Sequence, residues 1–304
     1  MVSPTLESDR AEPAGDAQED ILPPRRRWRR PGLVTMAGAA LLSVYFLAAL
    51  ASFLPNLPDP LQIATGQQLA GPSPAHWMGT DEFGRDQFSR VLLGVRISLE
   101  VILPSSLLAA IVGTLLGLIA GYFGTIPDNV IMRVVDIFFA FPPVLLALAI
   151  IAALGGGIYQ LVVATAIVYT PMFVRIVRGP VLALRELEYV QAAVGVGGGT
   201  LWILRRHILP GVMSVIVVQL TLTLSWALLT ETALSFLGLG LQPPEPDLGT
   251  MLSEGSQFIT LDAWLGIFPG IAIVVAVLGF NLVGDGLRDA LDPKARQAQE
   301  ASVR

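Results

Sequence analysis

Six apolar runs set the pattern of this chain: residues 33–54, 99–121, 134–154, 159–178, 211–236 and 264–284. A helix needs about 20 apolar residues to cross the hydrocarbon core of a bilayer, so the pattern predicts an all-α integral membrane protein with six transmembrane helices. Residues 1–31 are polar and end in Arg25-Arg26-Arg27-Trp28-Arg29-Arg30, which reads as a disordered tail closing in a membrane-surface anchor. Residues 55–79 are rich in proline and irregular. From Asp81 onward Phe88, Val91, Leu92 and Val95 recur at helical spacing, opposite Arg85, Asp86 and Ser89. That predicts an amphipathic helix lying on the membrane surface and feeding the second span. The chain divides accordingly into a tail (1–31), a first span with an external loop (32–98), a core of five spans (99–293) and a second tail (294–304).

Within the core, residues 181–210 break the rhythm of spans. Leu184, Leu187 and Tyr189 to Ala193 suit a helix, but Gly197-Gly198-Gly199 does not, since each glycine inside a helix costs about 1 kcal/mol against alanine. Thr200 is placed to cap a second short helix over 201–209, and Pro210 suits the first turn of the next span. The segment therefore reads as helix, elbow, short helix, span. A basic connecting loop that merely obeys the charge rule for membrane topology is the plainer reading.

Charge sets the orientation. With the N-terminus inside, only Arg85, Arg90 and Arg96 of the 19 basic residues fall outside, and the loop 240–263 carries Glu245, Asp247, Glu254 and Asp262 with no basic residue. Basic residues stay on the cytoplasmic side, so both termini are expected there. Composition removes several chemistries. The chain is 53% hydrophobic and 14% charged, with no cysteine, and its mean hydropathy is +0.66. Disulfides and thiolate metal sites are absent. Its single lysine, Lys294, follows no glycine-rich loop, so no phosphate-binding Walker A motif exists and the chain holds no ATPase site of its own. His76 and His207 are expected on opposite sides of the membrane, which argues against a metal site. A serine hydrolase is equally unsupported, with no G-x-S-x-G.

Polar residues inside spans face protein or water rather than lipid. Gln219, Thr221, Thr223, Ser225 and Thr230 share the fifth span with Glu231. Gln219, Thr223, Ser225 and Glu231 are the candidates to line a translocation path, with helix–helix contact as the alternative. Glu231 is expected near the outer interface, in a capping or pairing role. Arg133 and Asp136 are spaced to pair on one helical face, while Pro142, Pro143 and Pro171 predict kinks.

The stretch 188–210 resembles the EAA loop of ABC-importer permeases. Gln191-Ala192-Ala193 stands for E-A-A, Gly197 for the glycine after three more residues, and Leu209-Pro210 closes the motif after nine intervening residues, 198–206, and His207-Ile208. Gln191 replaces the usual acidic residue, and the ending His207-Ile208-Leu209-Pro210 is familiar from the peptide and nickel branch. His76 to Leu99 is similar to a segment of the second permease of dipeptide and oligopeptide importers. The likeness continues through Gly121 to Gly124, Arg133 to Asp136, Ala140 to Pro142, Leu234 to Gly240 and Gly284 to Pro293. After Pro246 the family usually has a small residue and Trp; here Asp247 and Leu248 stand there.

The resemblance implies a type I importer permease fold in a bacterial cytoplasmic membrane. It implies a second homologous permease, two ABC ATPases that bind ATP and Mg, and an extracytoplasmic solute-binding protein, with no nucleic acid. Glu188, Gln191, Ala192, Ala193, Gly197, Arg205, Arg206, His207, Leu209 and Pro210 would form the coupling loop, although the charge rule accounts for Arg205 and Arg206 equally well. Di- or oligopeptides are the expected cargo, with nickel or another small solute as the alternative. An ion-coupled secondary transporter, the rival of a different class, often carries charges near mid-membrane, and these spans hold few.

Overall fold

The computed structural model describes residues 32–291. The two tails, with the Arg25–Arg30 anchor, Lys294 and the last residues of the Gly284–Pro293 stretch, lie outside the described residues. Everything described is helix, turn or loop, apart from one isolated bridge between Thr80 and Asp86.

Five helices are long and apolar enough to cross a membrane: α1 (Leu33–Ala51), α2 (Gln87–Phe123), α5 (Ile158–Arg185), the continuous run Thr200–Phe236 and α10 (Trp264–Leu291). The sixth expected span, 134–154, is instead two helices, α3 (Thr125–Phe139) and α4 (Pro143–Leu154), which meet at 94°. Proline explains the break. Pro142 holds an extended backbone and Pro143 opens α4, where a missing N–H costs nothing. At 1.5 Å per residue the 12 residues of α4 reach only about 18 Å, short of the roughly 30 Å core, so α4 does not cross alone.

The expected ion pair between Arg133 and Asp136 is not formed. Asp136 instead accepts a hydrogen bond from Arg175 of α5 at 2.8 Å, and that guanidinium also lies 4.0 Å from the centre of the Phe139 ring. Arg178, one turn along α5, clasps Asp128 with two bonds. An i,i+3 contact is worth only a few tenths of a kcal/mol, too little to compete with a stacked guanidinium on the neighbouring helix.

A second correction concerns the start of α2. No separate surface helix precedes it; α2 runs unbroken for 37 residues, and its first turns are buried on the polar side as well as the apolar side. Asp81 is the reason. Its Oδ1 accepts the N–H groups of Phe83 and Arg85 at 2.9 Å each, while its Oδ2 meets Arg85 Nε at 2.5 Å and Arg90 Nε at 3.3 Å. Arg90 reaches on to Glu254 at 3.6 Å, on α9 (Leu248–Gln257). Burial pushes the Glu254 carboxyl up from its ordinary value, and Arg90 beside it pulls the other way. Asp86 caps α2 through Ser89 N–H at 2.9 Å and also meets His76 at 2.9 Å. Arg85, Asp86 and Ser89 thus face protein, not solvent.

Packing between α2 and α5 depends on glycine. A Cβ on Gly117 would stand 2.9 Å from the carbonyl oxygen of Val174, and one on Gly121 would stand 2.7 Å from Cβ of Val181. Small residues let helix backbones approach closely where no hydrophobic force drives association. Gly117→Leu is expected to cost at least about 1–3 kcal/mol by overpacking and to lower the thermal midpoint of the detergent-purified protein; an unchanged midpoint would show that α5 can yield.

The remaining helix, α8 (Leu209–Phe236), is central and packs against α2, α5, α9 and α10, while α1 lies along α10. Loops 52–86, 155–157 and 237–263 gather at one end of the bundle. The opposite end carries Gly124 and residues 186–208.

Candidate functional site

At that opposite end α5 stops at Arg185, and α6 (Glu188–Gly195) leaves it at a new angle after an extended Leu187. Gln191 holds the corner. Its side-chain amide donates to the carbonyl of Arg185 at 2.7 Å, a bond that a carboxylate cannot donate. Glutamine at the acidic position of the motif therefore has a local use. Gln191→Glu is expected to cost about 0.5–1.5 kcal/mol, read as faster amide exchange over α6; unchanged exchange would mean that the bond adds nothing.

The elbow has a defined geometry. Gly197 takes φ +83°, its N–H donates to Val194 O at 2.9 Å, and Gly198 N–H donates to Ala193 O at 2.9 Å. These are the two bonds of a Schellman motif, in which the residue after the cap must adopt the left-handed conformation that glycine tolerates. The run of three glycines is thus a helix terminus with two strict positions: Gly197 by its backbone conformation, and Gly198 because a Cβ there would stand 2.6 Å from the carbonyl oxygen of Ala193.

The second short helix differs from expectation. Thr200 does not cap it; Gly199 occupies that place without a side-chain bond, and α7 (Thr200–Ile203) passes through a π-helical turn (Leu204–Ile208) straight into α8. Leu209 and Pro210 fall in the first turn of α8, where proline is tolerated. Helix, elbow, then one long helix is the observed order.

A small core fixes the segment to the bundle. Val190, Ala193, Ile203 and Ile208 are buried with Leu118, Val177, Val181, Val212 and Ile216 of α2, α5 and α8. Outward the segment is exposed: Val196 is 85% accessible, Leu201 78% and Trp202 53%. Glu188, Gln191, Ala192, Gly197, Arg205 and Arg206 are exposed too. A cavity of about 360 Å³ is lined by Trp202, Arg205 and Arg206. His207 lies between Trp202 and Tyr189, with ring centroids 4.8 and 5.9 Å away, and its Nε2 has no hydrogen-bond partner among the described residues. The face is apolar and basic together, backed by a buried core.

The four candidates for the path are turned inward. Gln219 donates to Thr223 Oγ1 and to Met172 Sδ, both at 3.1 Å, and Ser225 donates to the carbonyl of Val277 at 3.3 Å. Glu231 is fully buried, with Ser98 and Thr232 at 3.4 Å. Gln219, Thr223, Ser225 and Glu231 all meet helices of this same chain. Sequence reasoning missed the partners around Glu231, namely Tyr45, Ser98, Ser235 and Asp247; the departure from the family pattern at Asp247 was the available signal.

Residues 113–297 match the family described as binding-protein-dependent transport system inner membrane component. The chain is 45% identical over 271 residues to the glutathione transport system permease protein GsiD of Pectobacterium atrosepticum, covering 89% of this chain and 90% of that protein. It is 43% identical over 291 residues to the dipeptide transport system permease protein DppC of Alkalihalophilus pseudofirmus, covering 94% and 96%. GsiD of Escherichia coli is 42% identical over 271 residues, 89% of each chain.

Proposed function

The chain belongs to the family of binding-protein-dependent transport system inner membrane components, the permease subunits of ABC importers, and we propose that its cargo is a di- or oligopeptide and that residues 181–210 couple it to separate ATPases. The cargo reading draws on relatives named for glutathione and dipeptide transport. Nickel and other small solutes are the alternative.

One observation carries the coupling role: an exposed apolar and basic face on α6 and α7 is backed by a core shared with α2, α5 and α8. A push on that face reaches three membrane-crossing helices at once. Glu188, Gln191, Ala192 and the Trp202–Arg205–Arg206 cavity form the contact face, with Ala193 and Leu209 behind it. Gly197 sets the angle, and His207 and Pro210 lie at the join to α8. The distribution of basic residues supports placing both termini and this face in the cytosol.

Two ATPases that bind ATP and Mg engage this face and its counterpart on a second, homologous permease, and a solute-binding protein docks on the opposite end. The path runs between the two permeases, and Gln219, Thr223, Ser225 and Glu231 serve the packing of this chain. ATP-driven closure of the ATPases rocks the spans between two openings.

Uptake of labelled dipeptide or glutathione into proteoliposomes holding the complete importer tests this. ATP-dependent uptake is expected, with no response to an ion gradient. Uptake driven by an ion gradient without ATP would instead identify a secondary transporter.

A further inference from the structure

Near the loop end of the bundle two carboxyl groups are buried together. Glu231 of α8 and Asp247, which precedes α9, are both 0% exposed, and Ser235 Oγ bridges them, at 3.5 Å from Glu231 and 3.0 Å from Asp247. Among the described residues no basic side chain pairs with either one. The arginines of that end are engaged elsewhere: Arg85 and Arg90 with Asp81, Arg96 with Glu100. Buried charge that is neither paired nor bound to a metal is strongly disfavoured.

The surroundings supply oxygen and nothing basic. Ser98 of α2 and Thr232 of α8 each place a hydroxyl 3.4 Å from Glu231 Oε2. Tyr45 of α1 is 2% exposed; its hydroxyl lies beside Ser98 and near Glu231 and Asp247, and among the described residues it makes no hydrogen bond of good geometry. Asp247 uses Oδ1 for the N–H groups of Gly249 at 2.7 Å and Thr250 at 3.4 Å, which leaves Oδ2 turned to Ser235 and Glu231. Each of α1, α2, α8 and the α9 cap thus contributes an oxygen.

The spacing of these oxygens is informative. An O–H···O bond normally spans about 2.7–2.8 Å, so contacts of 3.4–3.5 Å around Glu231 are loose as hydrogen bonds. Oxygens on adjacent corners of an octahedron around Ca²⁺, bonded at about 2.3–2.6 Å, stand about 3.3–3.7 Å apart. Around Mg²⁺, bonded at about 2.0–2.1 Å, they stand about 2.8–3.0 Å apart, which the Ser235–Asp247 contact of 3.0 Å matches but the three contacts to Glu231 do not. Calcium takes six to eight oxygens in flexible geometry, and these six side chains offer that many. Among the described residues no three His, Cys, Asp or Glu side chains are placed to hold a metal ion by themselves, so the hydroxyls, Tyr45 among them, complete the set.

We propose that Glu231 and Asp247, with Ser98, Thr232, Ser235 and Tyr45, form a structural binding site for a calcium-sized cation that ties α1, α2 and α8 to the cap of α9. The site stands apart from ATPase coupling and from the identity of the cargo. Its charge balances, because two carboxylates meet one dication.

The test is elemental analysis of the assembled importer, purified in calcium and freed of loose metal by gel filtration. Wild type is expected to retain about one calcium per chain more than Glu231→Gln, and Tyr45→Phe to retain the ion. Terbium carried through the same purification should emit on tyrosine excitation, less in Tyr45→Phe. Equal calcium in wild type and Glu231→Gln overturns the proposal, as does a wild type without calcium whatever the variants do. The carboxyls then share a proton instead.

Discussion

Replacing Gly197 by valine is expected to leave membrane insertion and ATP hydrolysis in place while lowering coupled uptake about tenfold. Gly197 sits at φ +83°, where an L residue pays about 1–2 kcal/mol and a β-branched one sits worst. A Cβ there meets nothing within 4 Å, so the penalty is conformational and not a clash. The chain relieves it by opening the two bonds of the Schellman motif, which frees α6 from α7. About 1.4 kcal/mol is a factor of ten in the population of the competent geometry. The core of Val190, Ala193, Ile203 and Ile208 holds both short helices, so the loss is in angle and not in folding. ATP hydrolysis and uptake measured on the same proteoliposomes check this. Uptake at the wild-type ratio would mean that the elbow does not transmit motion, whereas loss of both activities together would point to failed assembly.

Asp81→Ala is expected to have a larger effect on stability than any other single change at the loop end. It strands two buried guanidinium groups, Arg85 and Arg90, which are 6% and 2% exposed, and removes the acceptor for the N–H groups of Phe83 and Arg85. Breaking a buried pair by deleting one partner costs about 3–5 kcal/mol. Glu254 and Glu82 lie 3.6 and 3.7 Å from the same arginines and recover only part of this. The expected outcome is sharply reduced abundance in the membrane and a lower thermal midpoint in detergent. Replacing Arg85 and Arg90 by methionine in the same chain should restore part of the loss, since no charge is then left unpaired. A wild-type midpoint for Asp81→Ala alone would contradict the network's role.

How much of the fold was legible in the sequence depends on which forces act locally. Spans were readable because a bilayer demands long apolar runs, and five of the six expected spans are single helices. Pro142 and Pro143 marked the break in the remaining one, though a right-angle turn between α3 and α4 is more than a kink. Gly197 could be singled out because its demand is on its own backbone. Contacts between distant residues could not be read in the same way. Asp136 had Arg133 one turn away in sequence, yet its partner, Arg175, lies 39 residues on. The polar side of early α2 looked solvent-facing because polarity usually signals exposure, and only Asp81 and Glu254 together explain why it is buried. Likewise Glu231 carries no sign of Tyr45, which lies far upstream on α1. Gln191 looked like a lost charge at the coupling face, whereas its amide closes the corner between α5 and α6.

The most direct measurement is site-specific crosslinking from a cysteine at position 191 in native membranes. The chain has no cysteine of its own, and Gln191 is exposed on the proposed contact face. Capture of an ABC ATPase, changing in yield when ATP is added, is the predicted result. An intact complex with a reactive probe that captures no ATPase would contradict the coupling role of residues 181–210.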